Sequence, residues 1–211
     1  MDISRWAVVF AVSGAFPASA VAADAQKIFT QGGANPAAMA CSTCHGADGL
    51  GMPSAGFPRL AGLSADYLTK QISDFRSGAR GNPIMLTIAQ ALSEDESKAV
   101  AGMLAKLPAP TVKLVNRAQT AKGPGEILAL RGAWDRDIPE CVACHGPGGI
   151  GVGATFPPLS GQSAQYLTSQ LNAWKLNTRK NDQDDLMGHI ARSLTDAEVE
   201  AVSRYFAELS K

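Results

Sequence analysis

Apolar residues recur along this chain at helical spacing, and the pattern comes in pairs. Behind Ser64, the residues Tyr67, Leu68, Gln71, Ile72 and Phe75 fall on one stripe. Behind Ser163, Tyr166, Leu167, Leu171 and Trp174 repeat it. Each serine stands where a helix N-cap belongs. Two further helices open with capping boxes, Ser93 with Glu96 and Thr195 with Glu198. Their apolar faces carry Val100, Met103, Leu104 and Leu107 in one, and Val199, Val202, Tyr205, Phe206 and Leu209 in the other. Shorter helices are expected around 25–30 and 126–131. No stretch alternates in the manner of a strand. The expected fold is all-α, in two small lobes.

The pairing extends to individual residues. "ACSTCHG" at 40–46 returns as "ECVACHG" at 140–146, with Gly32 and Gly132 ahead of the two motifs. A Gly-rich loop follows each. "FPRLAGLSADYLTKQISDF" (57–75) then matches "FPPLSGQSAQYLTSQLNAW" (156–174), and "MLTIAQALSEDE" (85–96) matches "MGHIARSLTDAE" (187–198). Small changes of offset between these blocks place loop insertions between fixed elements, which reads as a duplicated domain of about ninety residues. The charged "NTRKNDQDD" (177–185) before Met187 is a loop that could serve for docking. Between the copies, "LPAPTVKLVNRAQTAKGPGE" (107–126) is rich in Pro and Gly and disfavours a helix. The expected division is a leader at 1–23, an N-terminal domain at 24–108, a linker at 109–124 that lies partly along a domain surface, and a C-terminal domain at 125–211.

The leader has a polar start with Arg5, an apolar run from Trp6 to Phe16, and small residues around "ASAVAA". That is the pattern of a secretory signal cleaved near Ala22 or Ala23. The run is shorter than the ~20 residues needed to span a bilayer, and no later segment is apolar enough. The mature chain is expected in an oxidising compartment, the periplasm. Composition is ordinary for a globular protein, and the net charge of zero gives no field for nucleic acid or anionic lipid. Aromatics are sparse at 6%, so each small lobe needs something else to fill its core.

Cys-x-x-Cys-His supplies that. Two cysteines one helical turn apart can form thioethers to the two vinyl groups of a haem, and the next His then faces the iron; this is the c-type haem attachment signature. Cys41, Cys44, Cys141 and Cys144 are therefore the expected attachment points of two covalent haem c groups, with His45 and His145 as iron ligands. Zinc bound by four cysteines leaves no role for the histidines. A thioredoxin-like site needs a βαβ context, and local disulfides also leave the histidines unexplained.

Each iron needs a second axial ligand. Only His189 remains as a third histidine, so both centres cannot be bis-His. Met1 leaves with the leader, Met52 is too near His45, Met39 precedes the motif, and Met103 sits on an apolar helix stripe. Met85 and Met187 remain, and the repeat aligns them, each just ahead of a capped helix. Pro83 suits an extended loop delivering Met85. "NDQDDLM" lacks that Pro, and His189 is the competing ligand for the second centre or else a surface residue. Filled axial positions exclude substrate, and thioether sulfur raises the reduction potential. The chemistry is outer-sphere electron transfer. The carbonyls of Pro58 and of Pro157 or Pro158 could accept the second N–H of each histidine, or those prolines could simply shape turns. Tyr67 and Tyr166 either hydrogen-bond a propionate or the partner lobe, or pack as helix-face residues.

Two Cys-x-x-Cys-His units, each followed by "FP-x-L-x-G-x-S-x-x-Y-L" and a later Met, resemble the dihaem cytochrome c4 family of class I cytochromes c over essentially the whole mature chain. The resemblance implies two cytochrome c domains related by a pseudo-twofold, with haem edges facing each other. It implies a periplasmic carrier, not an enzyme, passing single electrons from a respiratory donor complex to a terminal oxidase or reductase. By the family pattern, the four cysteines bind haem and His45, Met85, His145 and Met187 ligate iron. A soluble or loosely membrane-attached shuttle is the first reading. The second is a dedicated cytochrome subunit of a larger dehydrogenase, of the flavoprotein sulfide or thiosulfate-oxidising type. A peroxidase-like protein or gas sensor with one open haem is the third, and the two paired methionines argue against it.

Overall fold

A computed structural model describes residues 23–113, 115, 118 and 120–210. The leader expected over 1–23 falls outside them, apart from Ala23. Among the described residues, ten α-helices run in two sets of five: α1 (Ala25–Gln31), α2 (Ser42–His45), α3 (Ala65–Ser77), α4 (Pro83–Ala91) and α5 (Glu94–Leu104), then α6 (Pro124–Arg131), α7 (Cys141–His145), α8 (Ala164–Lys175), α9 (Leu186–Ser193) and α10 (Asp196–Ala207). Among the described residues, extended pairing is confined to isolated bridges. The class is all-α, with two lobes of matching helix order in tandem.

The capping chemistry read from the sequence sets the helix starts. Ser64 and Ser163 accept from the amides of Tyr67 and Tyr166, and both capping boxes are formed. In the first lobe α5 packs on α1 and α3, and α4 on α3. In the second lobe α10 packs on α6 and α8, and α9 on α8. The first core gathers Ile28, Phe29, Leu63, Leu68, Ile88, Val100 and Leu104. Leu128, Leu130, Ile138, Leu167, Val199, Val202 and Phe206 lie in the second.

Two local expectations change. Pro83 does not sit in an extended loop; it opens α4, where its fixed φ and missing N–H are harmless. Pro124 likewise opens α6, with Gly125 in the first turn, so the proline-rich stretch ends earlier than its composition suggests. Part of that stretch lies along the second lobe: Lys113 N–H donates to Leu209 O at 2.7 Å, and Val112 and Val115 pack against its core.

The lobes meet on a pseudo-twofold axis. Arg80 and Arg179 form an antiparallel bridge. It is flanked by Gly81 N–H to Thr178 O at 2.7 Å and Lys180 N–H to Ala79 O at 2.8 Å. The charged stretch 177–185 is thus partly an internal seam. Its Arg179 is buried, and the Asn181 amide donates to Gln71 and Asp74 of the other lobe. A second seam is asymmetric. Arg59, buried in the first lobe, donates to the carbonyls of Ser160 and Gly161, and Gln162 exchanges two hydrogen bonds with the Arg59 backbone.

Candidate redox centres

Each Cys-x-x-Cys-His lies on a single helical turn, and the following Gly-rich loop folds back on it. Gly51 N–H donates to His45 O at 2.8 Å and Gly151 N–H to His145 O at 2.7 Å. Both glycines have positive φ, and a Cβ on Gly51 would lie 2.7 Å from the Phe57–Arg59 backbone, so no larger residue fits there. The carbonyls of Gly49 and Gly149 accept two amides each from the chain after the "FP" pair. The prolines are thereby fixed against the histidines.

The result is one hydrogen bond per lobe. His45 Nδ1 lies 2.9 Å from Pro58 O, and His145 Nδ1 lies 2.7 Å from Pro157 O. A carbonyl can only accept, so Nδ1 carries the proton and Nε2 keeps its lone pair. Phe57 and Phe156 stand edge-on to the two rings, at 6.2 and 6.0 Å. Both histidines are buried. Burial pushes their pKa values down against the opposing carbonyls, so the rings are neutral and fit to ligate. Burial pushes the Cys41 thiol up and the Cys141 thiol to about 12. No two of the four cysteines are joined in a disulfide. Among the described residues, no cluster of three or more His, Cys, Asp or Glu converges as a metal site, which leaves no place for the zinc alternative.

A cavity of about 610 Å³ opens beside α7 and reaches the lobe seam. Cys141, Cys144, His145 and Met187 share its wall with Leu167, Leu171, Ile190 and Phe206. His189 is exposed and is not part of that wall. Met85 is half-buried against the first core, at the third position of α4. Met103 packs against the same core, while Met39 and Met52 are exposed.

Sequence reasoning missed the charges at the seam. The Arg80 guanidinium donates to Gln71 at 2.9 Å, to the Tyr166 hydroxyl at 2.6 Å and to Gln170 at 2.7 Å. Arg179 donates to Gln170 at 2.8 Å and Gln71 at 3.2 Å. Arg80 lies over the Phe75 ring at 4.6 Å and Arg179 over Trp174 at 3.9 Å. Each tyrosine therefore faces the partner lobe's arginine. Burial raises the Tyr166 phenol, but the two guanidiniums outweigh it and hold it below its usual range. At Arg179, burial and the Arg80 charge both work against protonation. Two cations side by side in a buried seam, bonded to neutral oxygens, are incomplete without anions. The signal was available in the repeat, since Arg80 and Arg179, like Gln71 and Gln170, recur at one offset.

These features fit a haem in each lobe. The turn offers two thiols and a neutral imidazole, the second lobe has an apolar cleft, and the seam offers cations for a group bearing carboxylates.

The comparisons with known proteins agree. The family model "Cytochrome c" matches residues 22–110 and 138–210. A protein named thiosulfate dehydrogenase electron acceptor, from Stutzerimonas stutzeri, is 66% identical over 91% of this chain and 89% of its own length. Cytochrome c4 of Pseudomonas aeruginosa is 36% identical over 82% of this chain and 85% of its own. Among solved structures, reduced cytochrome c4 from Pseudomonas stutzeri superposes with a TM-score of 0.69 at 32% identity, covering 79% of this chain and 91% of that one. The thiosulfate dehydrogenase of Marichromatium purpuratum superposes with a TM-score of 0.78 at 40% identity over 86% of this chain, which spans 39% of that larger chain. This chain belongs to the cytochrome c family, in its dihaem cytochrome c4 branch, and is an electron-transfer protein carrying two covalently bound haem c groups.

Proposed function

We propose that this chain is the periplasmic acceptor of electrons from a thiosulfate dehydrogenase and hands them on to a terminal oxidase or reductase. The observation that carries the reading is its 66% identity, over nearly the full length of both chains, to a protein named for that role. The larger dehydrogenase chain, 39% of which this chain matches, supports it. The weaker identity to cytochrome c4 carriers fits the general plan of a carrier rather than this particular donor. The periplasmic location rests on the leader expected at 1–23. No described helix is long and apolar enough to cross a membrane.

In this reading Cys41, Cys44, Cys141 and Cys144 hold the haems, His45 and Met85 ligate the first iron, and His145 and Met187 the second. The domains are 24–108 and 125–211, joined by 109–124. The bound haem supplies a one-electron ferric–ferrous couple. Pro58 and Pro157 fix the imidazole tautomer and raise its basicity. Arg80 and Arg179 compensate carboxylate charge at the seam. The apolar walls keep water from the metal, which limits reorganisation. Two one-electron sites in one chain can accept a pair of electrons without dissociating between transfers.

The test is stopped-flow mixing of the oxidised protein with the dehydrogenase and thiosulfate. Fast, saturable reduction that needs both enzyme and thiosulfate is expected. Reduction no faster than with an unrelated cytochrome c would refute the proposed donor and leave the general carrier reading.

A further inference from the structure

The two methionine-bearing helices are capped by different chemistry. In the first lobe Asn82 Oδ1 accepts the Met85 N–H at 2.9 Å. In the second, one oxygen of Asp182 accepts the N–H groups of Met187 and Gly188 at 2.8 and 3.1 Å, and the other accepts the Trp174 indole N–H at 2.7 Å. Phe75 takes the place of Trp174 in the first lobe and offers no such donor. Asp182, Trp174 and Met187 all line the cavity beside His145. Asp182 forms no salt bridge among the described residues. Asn82 shows that a neutral oxygen suffices for the cap. The negative charge of Asp182 is what capping leaves unexplained. The arginines of the seam each bond both lobes, Arg80 through Gln71 and Tyr166 and Arg179 through Gln170 and Gln71, and neither forms a salt bridge with Asp182. The first lobe has no carboxylate in its methionine segment (79–92), whereas Asp184 and Asp185 add to Asp182 in the second, with Asp185 paired to Arg192.

We propose that Asp182 is a positioning residue that makes the C-terminal centre the lower-potential one, so that an electron entering there comes to rest in the N-terminal lobe. A fixed anion beside the metal favours its more positive oxidation state. The proposal rests on Met187 being the ligand it positions.

The test is a spectroelectrochemical titration of the full dihaem protein and its D182N and N82D variants. The far-red methionine-to-ferric-iron band of each serves as the measure of ligation. D182N is expected to raise the lower of the two couples alone, shifting the electron distribution between the centres by about tenfold, the size expected for one partly screened charge. N82D is expected to lower the upper couple. If D182N weakens the band, W174F/D182N, which recreates the first lobe's Phe and Asn, is titrated in its place. Full band intensity with neither couple moved, or with the upper one moved, overturns the assignment. M187A separates the two ideas: a band that survives it at full strength refutes the ligand reading itself.

Discussion

In the N-terminal lobe the large core aromatic sits on α1, as Phe29; in the C-terminal lobe it sits on α10, as Phe206, with Ala129 on the facing helix. Volume has moved from one helix to its partner while each core has stayed filled, as close packing requires. Around the histidines nothing comparable has moved. The Gly-rich loops differ by one residue in length, yet the Nδ1–carbonyl bond and the edge-on His–Phe contact agree between the lobes to within a few tenths of an ångström. A core tolerates any arrangement that fills the space. A ligand's tautomer and direction tolerate one.

The largest effect follows from breaking one centre and not the other. His145→Gly in the exported protein should remove axial ligation in the C-terminal lobe and leave about half of the native low-spin haem spectrum. Visible spectra checked against total iron would show it, and His45→Gly should remove the other half. The seam comes next. Arg179→Ala and Arg80→Ala each remove one of the two guanidiniums that Gln71 and Gln170 share across the seam and should cost about 3 kcal/mol. Calorimetry should show one unfolding transition dividing into two. Similar losses for the two variants are expected from the reciprocal bonds, and clearly unequal ones would show that the seam is less symmetric than its geometry.

A smaller effect tests the aromatic exchange. Gly49 and Gly149 both have positive φ, so alanine strains both alike. A Cβ on Gly149 would also meet the Phe206 ring at 2.7 Å, whereas one on Gly49 would meet Leu104 and Leu107 at 3.4 Å. Gly149→Ala should therefore cost about 1–3 kcal/mol more than Gly49→Ala in chemical denaturation.

The smallest effect concerns acid. Glu198 is held down to about 2, first by the Arg136 guanidinium at 2.6 Å. Its counterpart Glu96 is held below its usual range by the amides of Ser93 and Ala34. A depressed carboxyl stabilises above its unfolded value and loses that contribution as pH falls towards its folded value. The C-terminal lobe should thus lose stability between about pH 4.5 and 2. Arg136→Gln should move that loss to higher pH in the C-terminal lobe and leave the N-terminal lobe unchanged, as followed by pH-dependent circular dichroism.

Much of this was legible in the sequence because it is local. Helix stripes, serine caps and the Cys-x-x-Cys-His turn depend on residues a few positions apart, and duplication wrote each of them twice. The methionine pair became visible only through the repeat. Arg80 and Arg179 were marked only by their recurrence at one offset, and Asp182 by nothing, because a charged residue in a loop ordinarily reads as solvated. Their role depends on what the other lobe or a helix end brings to them. Pro83 and Pro124 misled for a related reason: proline breaks a helix interior yet begins one well, and composition does not say which position it holds.

The central claim is that both irons are closed by side chains of this chain, which makes it a carrier. The most direct measurement is the visible spectrum of the reduced protein before and after carbon monoxide. An unchanged spectrum is expected. A shifted spectrum would show an open axial position and contradict the account, beginning with Met187.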